Sequence, residues 1–219
     1  MMHPQGAEPG PKKRQGAVSS ITDDEIREKY LERAIRELND LGRELAACQD
    51  CPRGNVMPVQ GSGHPQADIF MLKRSATPSE IEEGVAFYGR AGNALMKSFK
   101  RLAIDPIVVF GTLCVKCPLT DPTHASEGCI ARVAEEIAIV QPRIVVVMGE
   151  EALAVLNELE LPLAAPIEPR EGEIQRLTST IDALYVPDID DSLDTDDSKQ
   201  RFWSALRVLG EWYDRLPPY

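Results

Sequence analysis

An α/β fold, a three-layer sandwich around a mainly parallel sheet, is predicted by three observations. Strand-sized apolar runs alternate with segments of helical period along most of the chain. The longest apolar runs, such as Ile144 to Met148, are far shorter than the roughly 20 residues of a membrane span. Hydrophobic residues make up 43% of the 219, enough for one domain of ordinary size with a real core.

The elements follow in order. Residues 1–19 hold Pro4, Gly6, Pro9, Gly10, Pro11 and Gly16 with the basic run Lys12-Lys13-Arg14, and are expected to be a disordered tail. The domain is expected over 20–219. Ser20 or Thr22 can cap a helix with Asp23, Asp24 and Glu25 in its first turn. Leu31, Ala34, Ile35, Leu38, Leu41 and Leu45 give that helix one apolar face to about Ala47. A Gly- and Pro-rich loop, Pro52 to Pro65, precedes a strand over Ala67–Leu72. Then come a helix over Ala91–Leu102, a β-branched strand over Ile107–Leu113, a helix over Glu127–Val140 and a strand over Arg143–Met148. A helix over Glu150–Leu159, short strands over Ile174–Leu177 and Ala183–Val186, and a terminal helix over Ser198–Leu216 complete the series.

Charge bears on partners. The formal net charge is −11 and the isoelectric point about 4.8, a poor start for binding a polyanion, since affinity for DNA comes largely from Lys and Arg on phosphates. Lys97, Lys100 and Arg101 share one helix and could form a local basic face, though an exposed polar face is the plainer reading. Asp188, Asp190, Asp191, Asp194, Asp196 and Asp197 place six carboxylates within ten residues, expected as a solvated loop. Calcium is disfavoured there, because no EF-hand pattern is present. The N-terminus has no apolar signal-peptide core, so a cytoplasmic location is expected.

Five cysteines, closely spaced in part, suggest metal or redox chemistry in such a compartment rather than a disulfide framework. Cys48-Gln-Asp-Cys51 is a C-x2-C pair at a helix end, Cys117 follows a strand, and Cys129 lies near the start of a helix. Loops after parallel strands share one sheet edge, so these pieces can converge. Four thiolates hold either zinc or an iron–sulfur cluster, and spacing alone does not separate the two. Cys114, at a strand end, is expected as a small core residue.

The text between the cysteines resembles the iron–sulfur uracil-DNA glycosylases of the family 4 type, from about Leu45 to Leu209. The landmarks occur in order: Cys48 to Pro52; Val59-Gln-Gly61-Ser-Gly63; Phe87-Tyr-Gly89-Arg90-Ala91-Gly92; Val115-Lys116-Cys117; and Pro142 through the apolar strand to Gly149, with Ala152. The resemblance implies a uracil-DNA-glycosylase-like fold and a structural [4Fe–4S] cluster on Cys48, Cys51, Cys117 and Cys129. It also implies a ligand pocket containing Phe87, Gly89, Arg90 and Gly92, with Phe87 stacking on a flipped base. A core aromatic is the equally weighted reading of Phe87.

The family's catalytic motifs are degenerate here. Its G-E-A-P-G-x-x-E segment corresponds to Lys73-Arg74-Ser75-Ala76-Thr77-Pro78-Ser79-Glu80, and only Glu80 survives. The water-positioning Glu becomes Arg74, the base-reading Asn becomes Leu113, and the leaving-group His becomes Asp190. Each such group typically carries about 10² to 10⁴ in rate, and although the losses are not additive, losing three removes most of the acceleration. An anion in place of the His donor also opposes charge developing on the leaving base. The expectation is a catalytically degenerate scaffold or protein-binding module, with an unknown protein partner, DNA disfavoured, and no membrane. The alternative is a divergent DNA glycosylase excising uracil or another damaged base. A third possibility is DNA binding without catalysis.

Overall fold

A computed structural model describes residues 22–216. The tail expected over 1–19 lies outside these residues. Seven α-helices and six strands are found among the described residues.

Helix α1 (Asp23–Ala47) is capped by Thr22, whose hydroxyl accepts from the Glu25 N–H while its own N–H donates to the Glu25 carboxylate. Its inner positions Ala34, Leu41 and Leu45 are buried as the apolar periodicity requires. Strand β1 (Ser62–Gly63) pairs antiparallel with β3 (Val109–Val115), and β2 (Ile69–Ser75) lies parallel to β3. β4 (Ile144–Met148) continues the parallel set on the other side of β2, followed by β6 (Asp182–Val186). β5 (Ile174–Arg176) closes the sheet antiparallel to β6, giving the order β1-β3-β2-β4-β6-β5.

Side chains alternate across the central strands and separate two cores. Phe70, Leu72, Val145 and Val147 face α4 (Glu127–Val140) and α5 (Glu150–Glu158). Ile69, Met71, Val146 and Met148 face α3 (Arg90–Arg101) and α7 (Asp196–Tyr213). Both faces of the sheet are therefore covered, as parallel strands demand. The chain winds from β2 to β3 on one side and then crosses to β4 on the other. The carboxyl ends of β2 and β4 thus flank the point where strand order reverses, the usual place for a site in an open α/β sheet.

Several expected boundaries are corrected. The loop expected from Pro52 to Pro65 contains β1, a pairing made by backbone alone that no apolar alternation announces. The strand expected over Ile107–Leu113 runs from Val109 to Val115, because Pro106 and the Asp105 carboxylate, which accepts the Ile107 N–H at 3.0 Å, hold 106–108 in a tight 3-10 turn. Cys114 is consequently inside the strand rather than at its end. Helix α2 (Pro78–Glu83) was not foreseen, although Thr77-Pro78-Ser79-Glu80 has Pro in the first turn and Glu at the third position. The acidic segment expected as a solvated loop forms α6 (Ile189–Ser192) and the first turn of α7, with Asp188 and Thr195 as caps. Carboxylates in a first turn are favourable beside its free N–H groups.

Candidate functional site

The carboxyl edge of the sheet gathers two sets of side chains. The first is the cysteine group. Helix α1 ends at Cys48, and the Arg53 guanidinium donates to the Ala46 and Cys48 carbonyls at 2.9 and 2.7 Å, pinning the turn that carries Cys51. Cys117 stands two residues beyond β3, and Cys129 is in the first turn of α4. The sulfurs of Cys51, Cys117 and Cys129 lie within 4.8 Å of one another, all three residues buried, with Leu119 packed against them. Cys48 stands outside this trio and is half-buried, sharing a surface pocket with Cys51. None of the five cysteines forms a disulfide.

The donor set suits a metal. Burial, and then the neighbouring Cys129 and Cys51, push the Cys117 thiol up to about 12. Three sulfurs this close cannot all be thiolates unless a cation sits among them, and a coordinating thiol is deprotonated outright. Burial works to raise Cys51, but its hydrogen bonds with Ser126, and then with Cys117 and Cys129, together outweigh it and hold that thiol below its ordinary value. Cys114 packs among core side chains and burial pushes its thiol up to about 12, the behaviour of an inert core cysteine.

The second set surrounds Phe87. Its ring packs on Gly111 of β3 and its carbonyl on Gly92 of α3; a Cβ on either glycine would come within 2.6 Å of the ring or 1.8 Å of the oxygen. Phe87 itself has φ 60°, a left-handed backbone that is rare for an aromatic residue. Glu80, 0% exposed, holds it there: one carboxylate oxygen accepts the Phe87 N–H at 2.5 Å. The other accepts the Thr77 N–H at 2.7 Å, the Thr77 hydroxyl at 2.8 Å and the Lys73 ammonium at 2.8 Å.

Lys73 is the residue that sequence reasoning passed over. It ends the apolar run of β2, is 1% exposed, and places Nζ 5.6 Å from the centre of the Phe87 ring. The same Nζ donates to Asp190 Oδ2 at 2.6 Å. The ammonium thus covers the aromatic face and engages both carboxylates that approach it. Leu113, paired in register with Lys73, is fully buried among Val59, Ala86 and Phe87. Glu80 is 0% exposed, with both oxygens engaged by the chain and no solvent water in reach, and Leu113 offers no group to read a base.

Arg74 points to the opposite face, as strand alternation requires. Its guanidinium donates to the Pro122 carbonyl at 3.4 Å and lies 3.7 Å from Glu151, so it braces the segment between Cys117 and Cys129 rather than facing Phe87. Gly89 caps α3 with φ 85°, and Arg90 pairs with Asp194 at 2.8 Å and with the Leu193 carbonyl, tying α3 to the acidic segment. Lys97 and Lys100 are exposed, while the Arg101 guanidinium lies 5.6 Å from the Trp203 ring. A cavity of about 480 Å³ adjoins Phe87 away from the carboxylates, lined by Tyr88, Met96, Phe99 and Val109. No helix among the described residues is long and apolar enough to cross a membrane.

A mainly parallel sheet covered on both faces, with a cysteine group and a Phe87 pocket on its carboxyl edge, defines an α/β domain of glycosylase type. Residues 60–207 match the family model of the uracil DNA glycosylase superfamily, and the chain belongs to that superfamily. It is similar to a Type-4 uracil-DNA glycosylase of Pyrobaculum aerophilum, with 30% identity over 131 residues. That match covers 56% of this chain and 66% of the relative, just under two thirds of the relative's length.

Proposed function

We propose that this chain is a catalytically silent member of its superfamily, a cluster-stabilised scaffold that binds a protein partner in the cytoplasm. The observation that carries the reading is the Lys73 ammonium lying over Phe87 between Glu80 and Asp190. The resemblance gives the Phe87 ring to a flipped base, and here a cation belonging to the chain lies over that ring. A base entering would have to displace Lys73 from two carboxylates. Removing one partner from a buried ion pair costs about 3–5 kcal/mol, more than the roughly 1–3 kcal/mol gained by stacking a base on an aromatic ring.

The three grouped cysteines, with Cys48 at their margin, are read as ligands of a [4Fe–4S] cluster on the strength of the family likeness. Such a cluster would cross-link the end of α1, the segment after β3 and the start of α4. Its chemistry there is structural. The acidic segment argues for protein over DNA. One carboxylate about 6 Å from a phosphate costs roughly 0.7 kcal/mol in water, and several would add, reduced by salt.

The test is a single-turnover assay. Anaerobically purified protein, in excess over labelled uracil-containing oligonucleotides, single- and double-stranded, is examined for abasic sites beside an active glycosylase. No abasic sites are expected. Their appearance would overturn the silent-pocket reading in favour of a divergent glycosylase built on Glu80 and Phe87.

A further inference from the structure

Ser126 touches two of the three grouped cysteines and belongs to neither ligand set nor pocket. It caps α4, a helix of 14 residues, with extended backbone at φ −69° and ψ 151°. Its N–H points at Cys51 Sγ at 3.4 Å, its Oγ lies 3.4 Å from the same sulfur, and that Oγ accepts the Cys129 N–H at 3.1 Å. One residue therefore directs two polar groups at the Cys51 sulfur while fixing the backbone of Cys129.

A metal-bound Cys51 carries no proton, so the hydroxyl that now accepts from the thiol turns donor. Its lone pairs still take the Cys129 N–H, because a hydroxyl donates one hydrogen bond and accepts two. Hydrogen bonds to ligand sulfurs draw off their charge and set both metal retention and reduction potential. The positive end of α4 acts in the same direction.

We infer that Ser126 is a positioning residue for the metal centre, stabilising it through the Cys51 sulfur as well as capping α4. The inference rests on the reading that the cysteines hold a metal. A cap alone makes a different prediction, and the side chain at 126 separates the two. Asp is as good a helix cap as Ser, but it donates nothing and sets an anion beside the sulfur.

The experiment compares the anaerobically reconstituted full chain with S126T, S126A and S126D. Iron, zinc and sulfide per chain are measured first, then the rate of metal loss to a chelator, then the midpoint potential where iron is present. Circular dichroism of each apo form reports the helix. S126T should resemble the native chain. S126A should hold metal about 10- to 100-fold more weakly, the usual effect of removing an outer partner of a ligand, and should lose it to the chelator faster than the native chain. S126D should lose it at least as fast while its apo form stays as stable as the native one, and both variants should have lowered potentials. If S126D retains metal like the native chain, Ser126 is only a cap and the inference falls while the metal reading stands. If the native chain takes up neither iron nor zinc, the metal reading falls and takes the inference with it.

Discussion

Lys73 Nζ lies 2.6 Å from Asp190 Oδ2, joining the end of β2 to α6 across 117 positions of sequence. The contact turns a strand-end lysine into the keystone of a three-membered ion cluster, because the same Nζ holds Glu80 at 2.8 Å. Glu80 is fully buried, whereas the Asp190 side chain keeps 33% of its surface in water. The two carboxylates therefore depend on Lys73 unequally.

That inequality predicts stability. Lys73→Met leaves the Glu80 carboxylate buried without its cation, and should cost about 3–5 kcal/mol in urea unfolding. Glu80→Gln in the Lys73→Met background should recover only part of the loss: it removes the buried charge, but its single amide oxygen can replace one of the two carboxylate oxygens that accept the Phe87 and Thr77 N–H groups, and its NH2 faces the other. Asp190→Asn alone should cost 1 kcal/mol or less, of the order of a partly exposed pair. A Lys73→Met protein within about 1 kcal/mol of the native chain would show that the cluster contributes little.

The ion cluster also predicts what restoring family residues can do. Asp190→His and Leu113→Asn each return a group the resemblance assigns to catalysis, yet neither moves Lys73 from the Phe87 face. Neither single variant, nor the pair together, should excise uracil in the single-turnover assay. Only combinations that include Lys73→Gly should bring any excision. Abasic sites produced by Asp190→His alone would mean that the lysine yields to the base, and that Asp190 rather than Lys73 silences the pocket.

Much of this architecture is legible in the sequence, and the limits have physical reasons. The apolar run Ile144–Met148 announces a strand covered on both faces, and the 3–4 periodicity to Leu45 announces α1, because burial writes itself into hydrophobic pattern. The sequence expects Cys48, Cys51, Cys117 and Cys129 to converge, since loops after parallel strands share an edge; Cys51, Cys117 and Cys129 do, and Cys48 stands outside them. Lys73 is not marked in this way, because its meaning depends on carboxylates contributed by α2 and α6, and no local pattern marks a buried cation. The aspartate run misled in the same way. Asp188 caps α6, Asp190 meets Lys73 and Asp194 meets Arg90, three tertiary or local roles that composition reports only as charge.

The cysteine geometry predicts unequal ligands. Cys51, Cys117 and Cys129 are buried and mutually close, so replacing any one with Ala should abolish metal retention after anaerobic reconstitution. Cys48→Ala removes a half-buried sulfur outside the trio, and should leave a metal-bearing protein that loses its metal faster than the native chain. Stripping the metal should sensitise the turn after Cys51 and the segment from Cys117 to Ser126 to limited proteolysis, because these pieces are joined there. Metal content and cleavage maps check both. A Cys48→Ala protein as empty as Cys51→Ala would make all four sulfurs equivalent ligands.

Asp188 supplies a prediction about pH. Burial, working against the Asp191 and Asp190 N–H groups it caps and aided by the charges of those two residues, raises its carboxyl above the ordinary 3.8. A raised acid binds its proton more tightly in the folded chain than in the unfolded one. Between the unfolded and folded values the native state carries more protons, so the Asp188 contribution to stability falls as pH rises through that window. Above the folded value the whole penalty of a half-buried anion is present, and below 3.8 it is absent. Asn caps a helix about as well as Asp and keeps an oxygen for the Asp190 and Asp191 N–H groups, now 2.8 and 3.3 Å from the carboxylate. Asp188→Asn should therefore be as stable as the native chain or more so at pH 7, and the difference should shrink towards pH 4. Urea unfolding at the two pH values measures it. A variant less stable at pH 7 but not at pH 4 would reverse the sign, and would mean that the ionised carboxylate is itself a favourable cap for α6.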